Sequence, residues 1–263
     1  MIKLIASDMD GTLLTPEGKI PNEFFDIFKE LKKKNIEFVV ASGRPYKTLY
    51  ENFSEICDDI SYISDNGAMV VEEGKVTSLE IIKKDIVAKV AKVCSDINNI
   101  SIIFCGVKNF YQFACDKTTQ EEIDNYYFNK TIINSFDEID DDIFKISICD
   151  MGDALTHSYP ILDENLKSIE DHIKIVVAGK YWTDITNIDV NKGTAIEKIQ
   201  KMKNISKDET MVFGDYFNDV EMLGQAYYSY VMEDALDEMK AYGNFIAKSN
   251  KENGVLQVIK GIL

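Results

Sequence analysis

Two carboxylates spaced two residues apart, directly behind a short apolar run, constrain this chain more than any other stretch. Ile2-Lys3-Leu4-Ile5-Ala6 has the length of a buried strand, and Asp8-Met9-Asp10-Gly11-Thr12 follows it. Side chains at i and i+2 share one face of an extended chain, although the bend that Gly11 permits relaxes that constraint. Like charges this close repel unless a metal or a shared proton lies between them. A solvated turn after a strand is the plain alternative. A calcium loop of the EF-hand type is excluded by spacing, because its sixth and twelfth positions need a glycine and a bidentate acid. Counted from Asp8, those positions hold Leu13 and Lys19.

The residues that follow repeat one pattern, an apolar strand ending in a polar loop. Phe24, Ile27, Phe28 and Leu31 fall on one helical face, and the helix ends at Lys32-Lys33-Lys34, where cations suit the helix dipole. Phe38-Val39-Val40-Ala41 is the next strand, and Ser42-Gly43-Arg44-Pro45 follows it at once. Strand, helix, strand in this order predicts parallel pairing and an open α/β sheet. A helix from Tyr46 to about Ile56 leads to the strand Tyr62-Ile63-Ser64 and the turn Asp65-Asn66-Gly67. A hairpin turning at Glu73-Gly74 comes next.

From about Lys83 the texture changes to grouped helices and paired strands, with Lys145–Cys149 and Lys174–Val177 among the strands. Asp137–Asp142 reads as a solvated acidic loop, and His157 and His172 have no partner spacing for metal or triad chemistry. This predicts an α+β insert over 83–184, with the first domain formed by 1–82 and 185–263 and resuming near Asp184. The core then continues through a helix opening at Asn191-Lys192-Gly193-Thr194 and a strand, Met211-Val212-Phe213. Gly214-Asp215-Tyr216-Phe217-Asn218-Asp219 follows that strand directly.

Charge and cysteine content narrow the partners. A net charge of −16 argues against bulk binding to nucleic acid or an anionic membrane, but a bound metal and one lysine can reverse the field locally for a small anion. Cys57, Cys94, Cys105, Cys115 and Cys149 are scattered and never in C-x-x-C spacing, as expected of free thiols in a reducing compartment. With no basic-then-apolar leader and no apolar run long enough to span a bilayer, a soluble cytoplasmic protein is expected.

Three polar clusters lie just after strands: Asp8/Asp10, Ser42, and Asp215/Asn218/Asp219. A fourth, Lys192, opens a helix. In an open parallel sheet, loops at the carboxyl ends of the strands converge on one crevice. Together these residues supply carboxylates, a hydroxyl, an ammonium and backbone N–H groups. That set suits phosphoryl transfer, which needs mostly positioning and charge neutralisation. Oxygen-only ligands favour Mg²⁺ over zinc.

The motifs Asp8-Met-Asp-Gly-Thr-Leu-Leu14, Ser42-Gly-Arg44, Lys192-Gly-Thr194 and Gly214-Asp-Tyr-Phe-Asn-Asp-Val-Glu-Met222, with the ending Ser249-Asn-Lys-Glu-Asn-Gly-Val255, carry a resemblance over essentially the whole chain. It resembles the haloacid-dehalogenase-like (HAD) superfamily of phosphohydrolases, and in particular its Cof-type, sugar-phosphatase-like branch. The resemblance implies a Rossmann-like core, a parallel sheet with helices on both faces, and an inserted C2-type α/β cap. It implies a Mg²⁺-dependent phosphatase of a sugar phosphate or similar metabolite, working through an aspartyl-phosphate. By motif position Asp8 would be the nucleophile and Asp10 the proton-transfer group. Met9, Ser42, Gly43, Lys192 and Asn218 would lie against the phosphoryl group. Asp8, the Asp10 carbonyl oxygen and Asp215 would bind Mg²⁺, with Thr12 and Asp219 in support. Asn187 and Asp189 stand where the branch often has proline and glycine, and Met232-Glu233-Asp234-Ala235 replaces a commoner Met-Gly-Asn-Ala. A phosphomutase is the alternative within this chemistry. A phospho-accepting signalling domain is the alternative from another class, although its acid pair and acceptor sit on different strands. Selection of the substrate is expected from cap loops near Gly106, Lys145 or Tyr181-Trp182.

Overall fold

The computed structural model describes residues 1–127 and 129–263. The chain divides into two compact units, Met1–Leu79 with Asn191–Leu263, and Glu80–Val190. In the first, strand β1 (Leu4–Ser7) leads through a single wide turn over Met9–Leu13 to helix α1 (Glu23–Lys33). Strand β2 (Glu37–Ala41), helix α2 (Tyr46–Asn52), strand β3 (Ser61–Ser64) and the hairpin β4 (Met69–Glu72) and β5 (Lys75–Leu79) follow. The second unit contributes α3 (Lys84–Ser95), β6 (Ile100–Gly106), β7 (Phe110–Phe113), α4 (Lys117–Asp124), β8 (Lys130–Ile133), β9 (Ile143–Asp150), α5 (Ser158–Asn165), β10 (Ile173–Gly179) and β11 (Trp182–Asn187). The first unit resumes with α6 (Lys192–Lys203), β12 (Thr210–Gly214), α7 (Val220–Leu223), β13 (Tyr228–Met232), β14 (Phe245–Ala247) and α8 (Gly254–Lys260).

The first unit is built on an eight-stranded sheet in the order β14-β13-β12-β1-β2-β3-β4-β5. The strands from β14 to β3 are parallel, and β4 alone runs against them, pairing antiparallel with both β3 and β5. β1 is buried along its whole length, as a central strand covered on both faces must be. One face carries Leu4, Ala6, Val39, Ala41, Val212 and Val231 against Ile196 and Ile199 of α6 and Leu223 of α7. On the other, Phe24 of α1 packs edge-on to Phe38 at 5.0 Å. Phe24, Ile27, Phe28 and Leu31 are all buried, and each such side chain contributes about 1.5–3 kcal/mol. The acids Glu23 and Asp26 open α1 and Lys32 and Lys33 close it, both with the dipole.

The strand order has a consequence for function. The chain runs outward from β1 to β2 and β3, then returns to the opposite side of β1 as β12, β13 and β14. The reversal falls between β1 and β12, which is where a crevice opens at the carboxyl ends of such a sheet. Ser7 pairs with Phe213 across that boundary, so Asp8 and Asp215 leave adjacent strands side by side.

The second unit has a six-stranded sheet in the order β10-β11-β9-β6-β7-β8, antiparallel except for the β7–β8 pair. Ile86 and Val90 of α3 and Leu162 of α5 pack on Phe104, Ile146, Ile148 and Ile185. β11 belongs to this sheet through Asn187, beyond the point near Asp184 where the core was expected to resume. Lys145, expected near a loop, lies within β9 and is buried, 3.8 Å from Asp184. The acidic stretch before β9 is more than a solvated loop. Asp141 accepts backbone hydrogen bonds from Lys108 (2.8 Å) and Asn109 (3.2 Å), which closes the β6–β7 turn.

Candidate active site

Asp8 leaves β1 in an extended conformation, so its side chain continues the Leu4 and Ala6 alternation onto the face covered by α6. The first residue of α6 is Lys192. Asn191 caps that helix by accepting a hydrogen bond from the Thr194 amide at 2.8 Å. A lysine at a helix N-terminus opposes the dipole and would ordinarily turn to solvent. Lys192 is instead fully buried, and its ammonium donates to Asp8 Oδ1 and to Asp219 Oδ1, the latter at 2.7 Å. Two carboxylates offset both the dipole and the desolvation.

Asp219 is itself fully buried and has both oxygens engaged. Oδ1 meets Lys192, while Oδ2 accepts the backbone N–H groups of Asp215 (3.0 Å) and Tyr216 (3.2 Å). It therefore holds the loop after β12 and the lysine together. Asp215 accepts a hydrogen bond from Thr12 Oγ1 at 2.9 Å, and its other oxygen lies against Gly11. A Cβ on Gly11 would come within 2.3 Å of that oxygen, and Gly11 has φ +83°, so both backbone and space require glycine there.

Among the described residues, Asp8, Asp215 and Asp219 form one group of carboxylates whose nearest oxygens all lie within 4.8 Å. Burial pushes the Asp8 carboxyl up to about 8, against the pull of the Lys192 ammonium and with the push of Asp219 and Asp215. Burial also works against charge on Lys192, but Asp8 and Asp219 outweigh it and hold the ammonium above the ordinary lysine range. The lysine's direction governs the pair, because its Nζ meets two carboxylates while each of them shares one ammonium. Burial likewise raises Asp215 to about 6, opposed by the Thr12 hydrogen bond and aided by Asp219. When ionised, three carboxylates against one ammonium leave two negative charges uncompensated. A hard divalent cation fits that surplus and the oxygen-only donor set. Asp8 and Asp215 each keep an oxygen that could hold one, whereas both Asp219 oxygens are already used.

The remaining expected residues form a second string of contacts on the same sheet edge. The Asp10 side chain stays out of the carboxylate group and meets Arg44 beyond the end of β2. Ser42 is buried, and its hydroxyl accepts the Arg44 amide at 3.2 Å. Asn66, just past β3, donates its backbone N–H to the Ser42 carbonyl at 3.0 Å, and its side-chain Oδ1 accepts from Asn218 Nδ2 at 3.0 Å. Gly43 lies beneath it, where a Cβ would sit 3.1 Å from the Asn66 side chain. The Met9 side chain is fully buried, so only its backbone can face a ligand. Two residues at this edge had no role assigned from sequence, Arg44 and Asn66. Both stand directly after apolar strands, as the expected site residues do.

A parallel α/β sheet with clustered carboxylates and a buried lysine at its switch point defines an enzyme of phosphoryl transfer. The chain belongs to the haloacid dehalogenase-like hydrolases, whose family profile matches residues 5–259, and it is a phosphatase. It is 34% identical to the 5-amino-6-(5-phospho-D-ribitylamino)uracil phosphatase YbjI of Escherichia coli K12, over 100% of this chain and 96% of that protein. The solved structure of SMU.1108c from Streptococcus mutans is 29% identical with a TM-score of 0.84, covering 100% of this chain and 99% of that one. The HAD subclass IIB sugar phosphatase BT4131 is 25% identical with a TM-score of 0.77, over 99% of this chain and 98% of that one. Among the described residues no helix is long and apolar enough to cross a membrane.

Proposed function

We propose that this phosphatase hydrolyses a small phosphomonoester, a sugar phosphate or similar metabolite, through an aspartyl-phosphate formed on Asp8 in a Mg²⁺-dependent reaction. The observation that carries the reading is the buried ammonium of Lys192 held between Asp8 and Asp219. It fixes one oxygen of Asp8 and leaves the other for phosphorus. Attack by Asp8 forms an O–P bond as the ester P–O bond breaks, and Asp10 gives a proton to the leaving oxygen. Water then attacks phosphorus, Asp10 takes its proton, and the Asp8 O–P bond breaks. Ser42, Gly43, Asn218, Lys192 and the Met9 backbone hold phosphoryl oxygens. Mg²⁺, held by Asp8, Asp215 and the Asp10 carbonyl oxygen, would neutralise phosphoryl charge. Thr12 and Asp219 orient Asp215 and Lys192 respectively.

The inserted unit, with 83–184 as its body, is the part assigned to choosing the leaving group. The five free cysteines, Cys94, Cys105 and Cys149 among them buried, suit a reducing cytoplasm. The name of the Escherichia coli relative makes 5-amino-6-(5-phospho-D-ribitylamino)uracil the first compound to assay. Phosphate release from that compound, sugar phosphates, nucleotides and pyridoxal phosphate, with Mg²⁺ and then with excess chelator, tests the reading. Mg²⁺-dependent release from at least one phosphomonoester is expected. Full activity after chelation and dialysis would overturn it.

A further inference from the structure

Arg44 meets Asp10 with one edge of its guanidinium. Nε donates to Asp10 Oδ2 at 3.0 Å and Nη2 to Asp10 Oδ1 at 2.6 Å, a two-point fork. The remaining edge is anchored too, with Nη1 donating to Asn52 Oδ1 of α2 at 3.2 Å. The Arg44 backbone is fixed at both ends, its amide donating to Ser42 Oγ and its carbonyl accepting from the Asp65 amide at 3.1 Å. The Asp10 side chain is 61% exposed and that of Arg44 32% exposed, so the pair adds little to stability. An exposed aspartate would otherwise sample several staggered rotamers. A proton-transfer group must stay within hydrogen-bond reach of its target, and the fork confines it to one direction. Each carboxylate oxygen keeps a second lone pair outside the fork, so the group is fixed and still open to a proton.

We propose that Arg44 is a positioning residue for Asp10, its fork aiming the carboxylate that passes the proton to the leaving group and takes it back from water. The proposal rests on the reading of Asp10 as the proton-transfer group. It predicts a dependence on leaving-group chemistry that a structural ion pair would not produce. A nitrophenolate leaves without a proton, whereas a sugar alkoxide does not.

The test measures kcat/KM for 4-nitrophenyl phosphate and for the most active sugar phosphate, using Arg44→Met, Arg44→Lys and Asn52→Ala alone and in the Asp10→Asn background. For the sugar phosphate, both Arg44 variants should lose about 10- to 10²-fold, with the aryl ester within about threefold of wild type. Lysine keeps the charge without the fork and should share the loss. Asn52→Ala leaves the fork itself intact and should show the same pattern, smaller. In the Asp10→Asn background no Arg44 change should have a further effect. Equal losses on both esters, or an effect that persists without Asp10, would mean that Arg44 acts on the phosphoryl group and would overturn the proposal. Unchanged kinetics in every Arg44 variant would reduce the pair to a surface contact. An Asp10→Asn enzyme with no leaving-group dependence would instead overturn the Asp10 reading itself, an outcome visible without any Arg44 variant.

Discussion

Replacing Lys192 by methionine keeps the bulk of the side chain and removes the charge that Asp8 and Asp219 share. The lysine is fully buried, and so is Asp219, while Asp8 is nearly so. Removing one partner from such a group costs about 3–5 kcal/mol, because the carboxylates left behind stay out of water without compensation. At about 2–4 °C per kcal/mol for a chain of this size, the metal-free unfolding midpoint should drop by about 6 to 20 °C near pH 8. The pH dependence has a definite sign. Without the ammonium, the buried Asp8 carboxyl takes up a proton in the folded state well above its unfolded range. The folded state then binds more protons than the unfolded one, so stability falls as pH rises through that window. The deficit of Lys192→Met should therefore be largest near pH 8 and shrink towards pH 5. Calorimetry on both proteins across that range measures it, and adding Asp8→Asn should recover part of the loss by removing one of the opposed charges. Turnover should fall by at least ~10²-fold, the scale for one preorganised charge-stabilising group. A deficit below about 2 °C at every pH, or no recovery on adding Asp8→Asn, would refute the charge argument.

Gly11→Ala should lose about 1–3 kcal/mol, because alanine would have to adopt φ +83° with its Cβ 2.3 Å from an Asp215 oxygen. Activity should fall with it, and unchanged melting and turnover would contradict the account of that turn. The Asp215 carboxyl, raised to about 6 chiefly by burial, contributes stability at low pH that is lost as pH rises from its ordinary range through about 6. Asp215→Asn should flatten that stretch of the metal-free stability profile. It should also abolish the rise in melting temperature that Mg²⁺ gives the wild type, and an equal rise in both proteins would remove Asp215 from the cation site.

The core was readable, and the candidate residues could be placed on one sheet edge, because two signals coincide. Buried parallel strands such as Leu4–Ser7 and Thr210–Gly214 are built on short apolar runs, and the residues directly behind them fall on one sheet edge. The end of the insert was less readable. Trp182-Thr183-Asp184-Ile185-Thr186-Asn187 forms β11 without an apolar run, because its Asp184 and Thr186 side are matched by polar partners such as Ser147 and Lys145 on β9. Helix α2 stops at Asn52, short of Ile56, and irregular turns follow it. The pairings of Arg44 with Asp10 and of Asn66 with Asn218 join residues 34 and 152 positions apart. Spacing along one chain carries no signal for which loops will face one another. Lys192 shows the same limit from the other side. Its position at a helix start fitted a solvated lysine equally well, and only its burial between two carboxylates separates the readings.

Trapping the phosphorylated intermediate decides whether phosphorus is transferred to Asp8 and released with the help of Asp10. Asp8→Asn and Asp10→Asn proteins would be incubated with Mg²⁺ and an aryl phosphate carrying labelled phosphorus, quenched in acid and treated with hydroxylamine. The aryl leaving group needs no proton, so the first step should survive in Asp10→Asn while the second, which needs a base, stalls. The expected result is an acid-stable, hydroxylamine-sensitive label on Asp10→Asn, retained Mg²⁺ binding in that protein, and no label on Asp8→Asn. A label on both proteins would place the nucleophile elsewhere in the chain.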